Sequence, residues 1–229
     1  MHAVFRKKII LFISVFFLTA CGIKVLQLID PPTNSINPNI ANGSQIDEPE
    51  IINKITFTAA NLNATSFINP GTDIFYRIYT SQEDLQHDAN LINNANSEDS
   101  ENGYHKLISL DYKEMRSTDF DENPLVDKNG GTVTITLANK DGESASISAN
   151  SHIPLRYNGQ YFNFNSTYMS DSSNYEIPQD GDSDLKNNSL SITHYYVNLY
   201  AASTGMDTTI FKPVYSQLLS LGFLCYEAK

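Results

Sequence analysis

The chain has 229 residues, of which 41% are hydrophobic and 18% are charged. This is enough to bury one sizeable core, and the composition excludes collagenous, coiled-coil and polytopic membrane proteins. Fifteen basic residues stand against 26 acidic ones, which gives a formal net charge of -11. Because a surface this negative repels phosphate backbones, we expect no nucleic-acid partner.

The N-terminal residues are organised like a secretory signal. Arg6, Lys7 and Lys8 come first, and the almost wholly apolar residues 9–18 follow. A transmembrane anchor is the competing interpretation, but the uncharged stretch has only about 15 residues where a span needs roughly 20. We expect residues 1–20 to be removed as a signal peptide. The loss of their three basic residues takes the net charge from -11 to -14.

The apolar stretch ends in Leu18-Thr19-Ala20-Cys21, which resembles the lipobox of bacterial lipoproteins. The resemblance implies that Cys21 receives a diacylglycerol thioether, that cleavage occurs before it, and that the new amino terminus is acylated. Several acyl chains hold a protein firmly on a membrane. Gly22 stands where an Asp would resemble an inner-membrane retention signal. We therefore expect a bacterial envelope protein on the outer membrane or cell surface.

The second cysteine, Cys225, has no intramolecular partner if Cys21 carries lipid. The fold must then be stable without a disulfide. Cys225 lies in an apolar C-terminal run, so we expect a buried thiol rather than a reactive nucleophile.

Turn-forming residues dominate the start of the processed chain. Prolines and Asn/Gly pairs break any regular period, so we expect residues 21–50 to form a lipid-anchored tether or loosely packed arm. Residues 23–29 could instead add a strand. Period-two alternation then predicts a β domain over residues 51–229. The predicted strands are residues 55–60, 74–79, 104–112, 132–138, 144–148, 160–165, 190–202 and 208–215.

One segment has helical character. Ser81 is a suitable N-cap, with Asp84 three residues later, and Leu85, Ala89 and Ile92 mark a narrow apolar face. We expect one short helix that ends near Asn94. The polar residues 96–103 then predict an exposed acidic loop.

The architecture is best indicated near the C-terminus. Leu190, an alternating strand beginning at Tyr195 and the turn-forming residues 203–207 resemble the F strand and F–G turn of fibronectin type III domains. The resemblance implies an antiparallel β-sandwich of fibronectin or immunoglobulin type, enlarged by an insertion over about residues 81–189. Residues 55–60 and 74–79 resemble the B and C strands. Since the chain has no Trp, Phe57 would take the place of the family's core tryptophan.

We find no motif that predicts catalysis, a metal site or a cofactor other than the lipid on Cys21. The five histidines are far apart in sequence, without ligand spacing. Asp180, Asp182 and Asp184 alternate like the ligands of a calcium loop, but Leu185 replaces the glycine of that pattern. We expect a solvated turn.

A segment rich in tyrosine and asparagine predicts a binding surface. On a strand from residue 160, Phe162 and Phe164 would face the core. The opposite face would carry Tyr161, Asn163 and Asn165, and this mixture of tyrosine and asparagine is typical of adaptable binding surfaces. The candidate residues are Tyr157, Tyr161, Asn163, Asn165 and Tyr168. The alternative is that Tyr161 merely shields the sheet.

These observations together predict a lipid-anchored envelope lipoprotein that acts as a structural or binding module without catalysis. Its partners would be the membrane, through the anchor, and an unidentified protein or glycan. The alternative is an envelope hydrolase or other enzyme that uses loop carboxylates such as Asp119, Asp121 and Glu122.

Overall fold

The computed structural model describes residues 29–62, 67–118, 124–127, 129–137, 144–165, 176–188 and 191–228. Several residues singled out above lie outside these ranges, namely Leu18, Thr19, Ala20, Cys21, Asp119, Asp121, Glu122, Tyr168 and Leu190. Among the helices in the described ranges, none has both the length and the apolar character needed to cross a bilayer.

The described residues form short and long strands around two helices. The strands are β1 (Thr33–Ile36), β2 (Lys54–Asn61), β3 (Phe67–Tyr79), β4 (Lys113–Glu114), β5 (Arg116–Ser117), β6 (Val126–Asp127), β7 (Asn129–Thr136), β8 (Ser146–Ile147), β9 (Pro154–Leu155), β10 (Leu185–Lys186), β11 (His194–Asp207), β12 (Pro213–Tyr215) and β13 (Leu219–Glu227). The helices are α1 (Gln82–Glu98) and α2 (Ser100–Ser109). The mainly β, sandwich-like fold expected from the alternating pattern is confirmed.

Two sheets account for most of the strands. The first has the order β1-β2-β7-β8. The second, which we call the central sheet, is built on β3 and β11, paired from Tyr196 opposite Tyr79 to Asp207 opposite Phe67. Strands β4, β6 and β10 pair with the free edge of β3, and β12 and β13 with that of β11. Only β10 is parallel to its neighbour among these pairs.

The central sheet buries both of its faces, because side chains alternate along a strand. On one face, Ile74 and Ile78 of β3 pack with Phe57 and other apolar residues of the first sheet. Phe57 is fully buried, so it does occupy a core position. On the other face, Phe75 packs with residues of both helices. The order of layers is therefore sheet, sheet, helices.

The helical layer is larger than predicted. Ser81 accepts a hydrogen bond from the Asp84 N–H, as expected of an N-cap, but α1 continues beyond Asn94 to Glu98. Asp99 then caps α2 by accepting from the Glu101 N–H. The predicted loop over residues 96–103 and strand over residues 104–112 were therefore wrong.

A tertiary contact explains the extra length of α1. The Asn96 side chain, on the last turn, donates to the Leu218 carbonyl at 2.9 Å and accepts from the Leu218 N–H at 2.8 Å. This two-way bond attaches the helix end to the chain just before β13. The sequence around Asn96 gives no indication of this contact, because Leu218 is far away in the chain.

Two segments of turn-forming residues and two predicted strands also differ from expectation. Of the predicted strand over residues 208–215, only residues 213–215 form a strand, β12. Residues 69–71 lie inside β3 and residues 203–207 inside β11, because these two strands pair through both segments. The expected F–G turn is thus part of a strand. Residues 160–165 form no strand beyond an isolated bridge between Leu155 and Tyr161, although Phe162 and Phe164 are buried as predicted. Cys225 is a buried thiol, as expected.

Residues 30–50, expected to form a tether or loosely packed arm, lie against the domain. Within them, β1 pairs with β2. The Asn37 amide donates to the two carbonyls that flank Gly222, and the Asn39 carbonyl accepts from the Phe223 N–H at 3.1 Å. A Cβ on Gly222, whose φ is +76°, would lie 2.2 Å from that Asn39 oxygen. Only glycine fits this close approach.

Candidate functional site

Among the predicted binding residues, the four that lie in the described ranges do not share one exposed face. Tyr157, Tyr161 and Asn165 are half-buried, and Asn163 is 7% exposed. The side-chain Oδ1 of Asn163 accepts from the Asn165 N–H at 3.1 Å, which closes a local turn. Since this segment is not a paired strand, the alternation that would turn Asn163 outward does not apply.

Asp182 and Asp184, expected in a solvated turn, instead bind Arg156. Arg156 Nε donates to Asp184 Oδ2 at 2.9 Å, and Nη2 lies 2.5 Å from Asp184 Oδ1 and 2.7 Å from Asp182 Oδ2. Tyr76 Oη donates to Asp184 Oδ2 at 2.5 Å and accepts from the Tyr157 N–H. We call Arg156, Asp182, Asp184 and Tyr76 the arginine cluster. The alternating acids thus surround a guanidinium, and no metal-binding group occurs in the described ranges.

Two members of the arginine cluster, Arg156 and Tyr76, keep one protonation state at neutral pH. Burial alone would lower the pKa of Arg156, but the hydrogen bonds and charge of Asp184 outweigh it and raise that pKa above its ordinary value. Burial, and then the charge of Asp184, raise the pKa of Tyr76 well above its ordinary value. A permanent cation and a neutral phenol suit a structural role better than proton transfer.

A second polar group lies on the helix side of β3. Asp88 of α1 accepts from Lys186 Nζ at 3.0 and 3.1 Å, and its Oδ2 lies 3.0 Å from Tyr79 Oη and 3.6 Å from Arg77 Nη1. Tyr79 Oη is also 3.1 Å from Tyr112 Oη. We call Asp88, Arg77, Lys186, Tyr79 and Tyr112 the aspartate cluster. Its contacts connect the helices to the central sheet.

A more accessible group of side chains lies beside β4. Tyr104 of α2 and Tyr215 of β12 stack with ring centroids 4.1 Å apart and an interplanar angle of 11°. Phe75 contacts both rings edge-on, and Glu114, opposite Phe75 in the ladder, is exposed. Asp73 lies behind them at 3% exposure. We call these five residues the tyrosine surface.

Desolvation changes the pKa values of the two carboxyl groups in the tyrosine surface, those of Asp73 and Glu114. It raises the pKa of Asp73 to about 7, with a further contribution from the charge of Glu114, while hydrogen bonds from the Leu125 N–H and Thr204 oppose the shift. Partial desolvation by neighbouring side chains also raises the pKa of Glu114, whereas the charge of Arg116 opposes this shift. Asp73 is therefore a carboxyl group that changes charge near neutral pH.

The tyrosine surface is suited to binding. Half-buried tyrosine rings offer rigid apolar area with a polar edge, and an exposed carboxylate accepts hydrogen bonds from hydroxyl or ammonium groups. At 3% exposure, Asp73 is poorly placed to contact a substrate itself. It acts on the surface through its charge.

Sequence reasoning missed this group of residues for an identifiable reason. The five residues of the tyrosine surface come from α2, β3, β4 and β12. They lie close together only because these elements, which are far apart in the chain, meet in the folded structure. Tyr104 was assigned to a strand. The spacing of Tyr104 and Leu107, three residues apart, is the one local signal that would have indicated a helix with an inward face.

Comparisons with known proteins add no relative: no family model, no curated protein and no solved structure matches the chain. The described residues define the class by themselves, as a mainly β, sandwich-like protein with a helical layer on the central sheet.

Proposed function

We propose that the chain is a lipid-anchored bacterial envelope lipoprotein whose sandwich acts as a non-catalytic binding module for a protein or glycan. The anchor is supported by the basic start, the apolar stretch and the Leu18-Thr19-Ala20-Cys21 sequence. The outer membrane or cell surface follows from Gly22 after the cysteine. Binding is supported chiefly by one observation, the Tyr104–Tyr215 stack beside an exposed Glu114.

The stack is preorganised. Phe75 is 1% exposed and contacts both tyrosine rings, with centroids 5.8 Å from Tyr104 and 6.0 Å from Tyr215. A ligand would therefore meet rings that are already ordered, which lowers the entropy cost of binding. A sugar or a peptide with a hydroxyl or ammonium group could stack on the tyrosines and donate to Glu114.

Lipidation is tested by metabolic labelling with an alkyne fatty acid in a bacterial host. The wild-type chain should be labelled, and Cys21→Ala should be unlabelled and remain as the uncleaved precursor. Cys225→Ala is the matched control, because this buried thiol should leave labelling unchanged. Normal labelling of the Cys21→Ala protein would reject the anchor.

Binding is tested by screening the full acylated chain in detergent against a glycan array and a displayed peptide library. Tyr104→Ala and Glu114→Gln should weaken binding of the selected ligand by at least about tenfold, which is the loss of about 1.4 kcal/mol. Tyr157→Phe, on the segment predicted from sequence, is the control and should bind normally. Full affinity in the Tyr104→Ala protein would rule out the tyrosine surface as the site.

A further inference from the structure

Four exposed apolar side chains cluster where β3 begins and β11 ends. Ile68 and Met206 are cross-strand partners, each 42% exposed. Ile210 and Phe211, in the turn between β11 and β12, are 53% and 69% exposed. We call these four residues the apolar tip. Several exposed apolar side chains at one end of a sheet indicate an interaction surface.

The turn that carries the apolar tip is firmly held. The Asp207 carboxylate, on a residue 4% exposed, accepts from the Thr209 N–H at 2.6 Å and the Ile210 N–H at 3.2 Å. The Asp207 carbonyl accepts from the Phe211 N–H at 2.8 Å, and its N–H donates to the Lys212 carbonyl at 3.0 Å. Phe211 is thus presented outward on an ordered backbone.

The backbone of Phe211 has a conformation that is unfavourable for a bulky side chain. Its φ is 51°, in the left-handed region that a bulky side chain rarely adopts. With 69% of the residue exposed, the ring gains little from packing in the domain. A strained, exposed aromatic residue on a rigid turn is a sign of a binding role.

The processed N-terminus enters the domain at this same end. Ile29, the first described residue, is 7% exposed and packs with Leu62 and Phe67, the neighbour of Ile68. Val214, two residues after Lys212, packs against the same group. Cys21 precedes Ile29 by eight residues, which span at most about 28 Å when fully extended. An anchor on Cys21 would therefore keep this end close to the bilayer.

We propose that the apolar tip contacts the lipid bilayer that holds the anchor, with Ile210 and Phe211 at the headgroup boundary. This inference rests on the proposed lipidation of Cys21. Exposed Lys212 lies next to Phe211, where its ammonium group reaches lipid phosphates while the ring enters the apolar boundary. The anchor raises the local concentration of the tip at the membrane, so weak intrinsic affinity is sufficient.

The chain has no tryptophan, so Phe211→Trp creates a single fluorescent reporter at the apolar tip. The full acylated protein is reconstituted in phosphatidylcholine vesicles with bromine placed either near the headgroups or near the chain ends. We expect a blue-shifted emission and at least twofold stronger quenching by the shallow bromine. Ile210→Trp is a second reporter and should respond in the same way.

Ile108→Trp is the matched control. Ile108 is 43% exposed, close to the value for Ile68, but lies on α2 two residues before Leu110, whose carbonyl accepts from Arg77. Arg77 is nine residues along β3 from Ile68, about 30 Å away in an extended strand. The emission of the Ile108→Trp protein should therefore be neither shifted nor quenched by bromine.

Mass spectrometry of the same sample separates the two proposals. If Cys21 carries lipid but both tip reporters behave like the Ile108→Trp protein, the membrane contact is overturned and the lipoprotein stands. If Cys21 is bare in protein from a lipoprotein-processing host, both proposals fail. A blue shift that is insensitive to bromine and grows with protein concentration would instead identify a protein contact, and would overturn the lipid assignment.

Discussion

The arginine cluster and the aspartate cluster lie on opposite faces of β3 and differ in their access to water. Each places a tyrosine of that strand, Tyr76 or Tyr79, beside an aspartate. In the arginine cluster, the side chains of Arg156 and Asp184 are both 0% exposed. In the aspartate cluster, Asp88 is buried.

The cations of the aspartate cluster are less enclosed. The Arg77 side chain is 11% exposed and that of Lys186 is 25% exposed. Each cation also has a further acidic neighbour, Asp111 and Asp84 respectively. The loss of Asp88 therefore leaves cations that have water and other acids nearby, whereas the loss of Arg156 would leave a carboxylate inside the core. We therefore expect the loss of Arg156 to lower the stability of the fold more than the loss of Asp88 does.

Arg156→Met should give the largest effect. It leaves Asp184 charged and without its cation, and such a loss typically costs about 3–5 kcal/mol of unfolding free energy. Urea denaturation at pH 7 measures this loss. The double variant Arg156→Met/Asp184→Leu removes both charges and should recover most of it. A single-variant loss below about 1 kcal/mol would contradict the comparison.

Asp73→Asn should alter how stability depends on pH. The folded pKa of Asp73, about 7, lies above the unfolded value of about 3.9, so the folded state holds the proton more tightly and stability falls as pH rises through this window. Between pH 5 and pH 8 this contribution amounts to about 2–3 kcal/mol. Asp73→Asn should remove it in denaturation curves taken at both pH values.

The control for that measurement is Asp111→Asn. The side chain of Asp111 is 63% exposed, so this variant should keep the pH dependence of the wild-type chain. If Asp73→Asn and Asp111→Asn give the same slope of stability against pH, Asp73 is not the group responsible.

Asp88→Asn should cost less than Arg156→Met, about 1–2 kcal/mol, because the amide still accepts a hydrogen bond and the two cations keep other neighbours. Chemical denaturation measures the difference. Asp84→Asn removes a more exposed acid 3.7 Å from Lys186 Nζ and should cost still less. A loss from Asp88→Asn equal to that from Arg156→Met would remove the distinction between the clusters.

Phe211→Asn should give the smallest effect and one of opposite sign. Asparagine tolerates the left-handed backbone better than phenylalanine, so we expect a gain of about 1 kcal/mol. Thermal unfolding of the two proteins measures it. Met206→Asn, at a site without positive φ, is the control and should bring no gain. Equal melting temperatures for Phe211→Asn and wild type would argue against backbone strain at this turn.

The fold could be predicted from the sequence where secondary structure depends on residues that are close together in the chain. Period-two alternation located β2, the second half of β3 and most of β11, and the apolar run around Cys225 correctly predicted a buried thiol. The extension of α1 was missed because its last turn is held by a contact between Asn96 and Leu218, which are 122 residues apart in the chain. Strand ends were misplaced where pairing between β3 and β11 overrides turn-forming residues.

The polar sites were less predictable than the strands. The spacing of Asp182 and Asp184 predicted a solvated turn, because the sequence holds no local sign that both carboxylates bind Arg156, 28 residues away from Asp184. The tyrosine surface joins side chains from four elements. Such groups depend on tertiary packing, whereas the proposed lipobox rests on four consecutive residues of the sequence.

Strand β10 has only two residues, yet it touches both sides of the central sheet. Asp184, just before it, belongs to the arginine cluster, and Lys186 belongs to the aspartate cluster. The carbonyls of these two residues also accept from the Ile78 and Thr80 N–H groups. Detachment of this one short segment would therefore break polar contacts on both faces of the central sheet at once. Calorimetry of the domain should accordingly show a single cooperative heat-absorption peak.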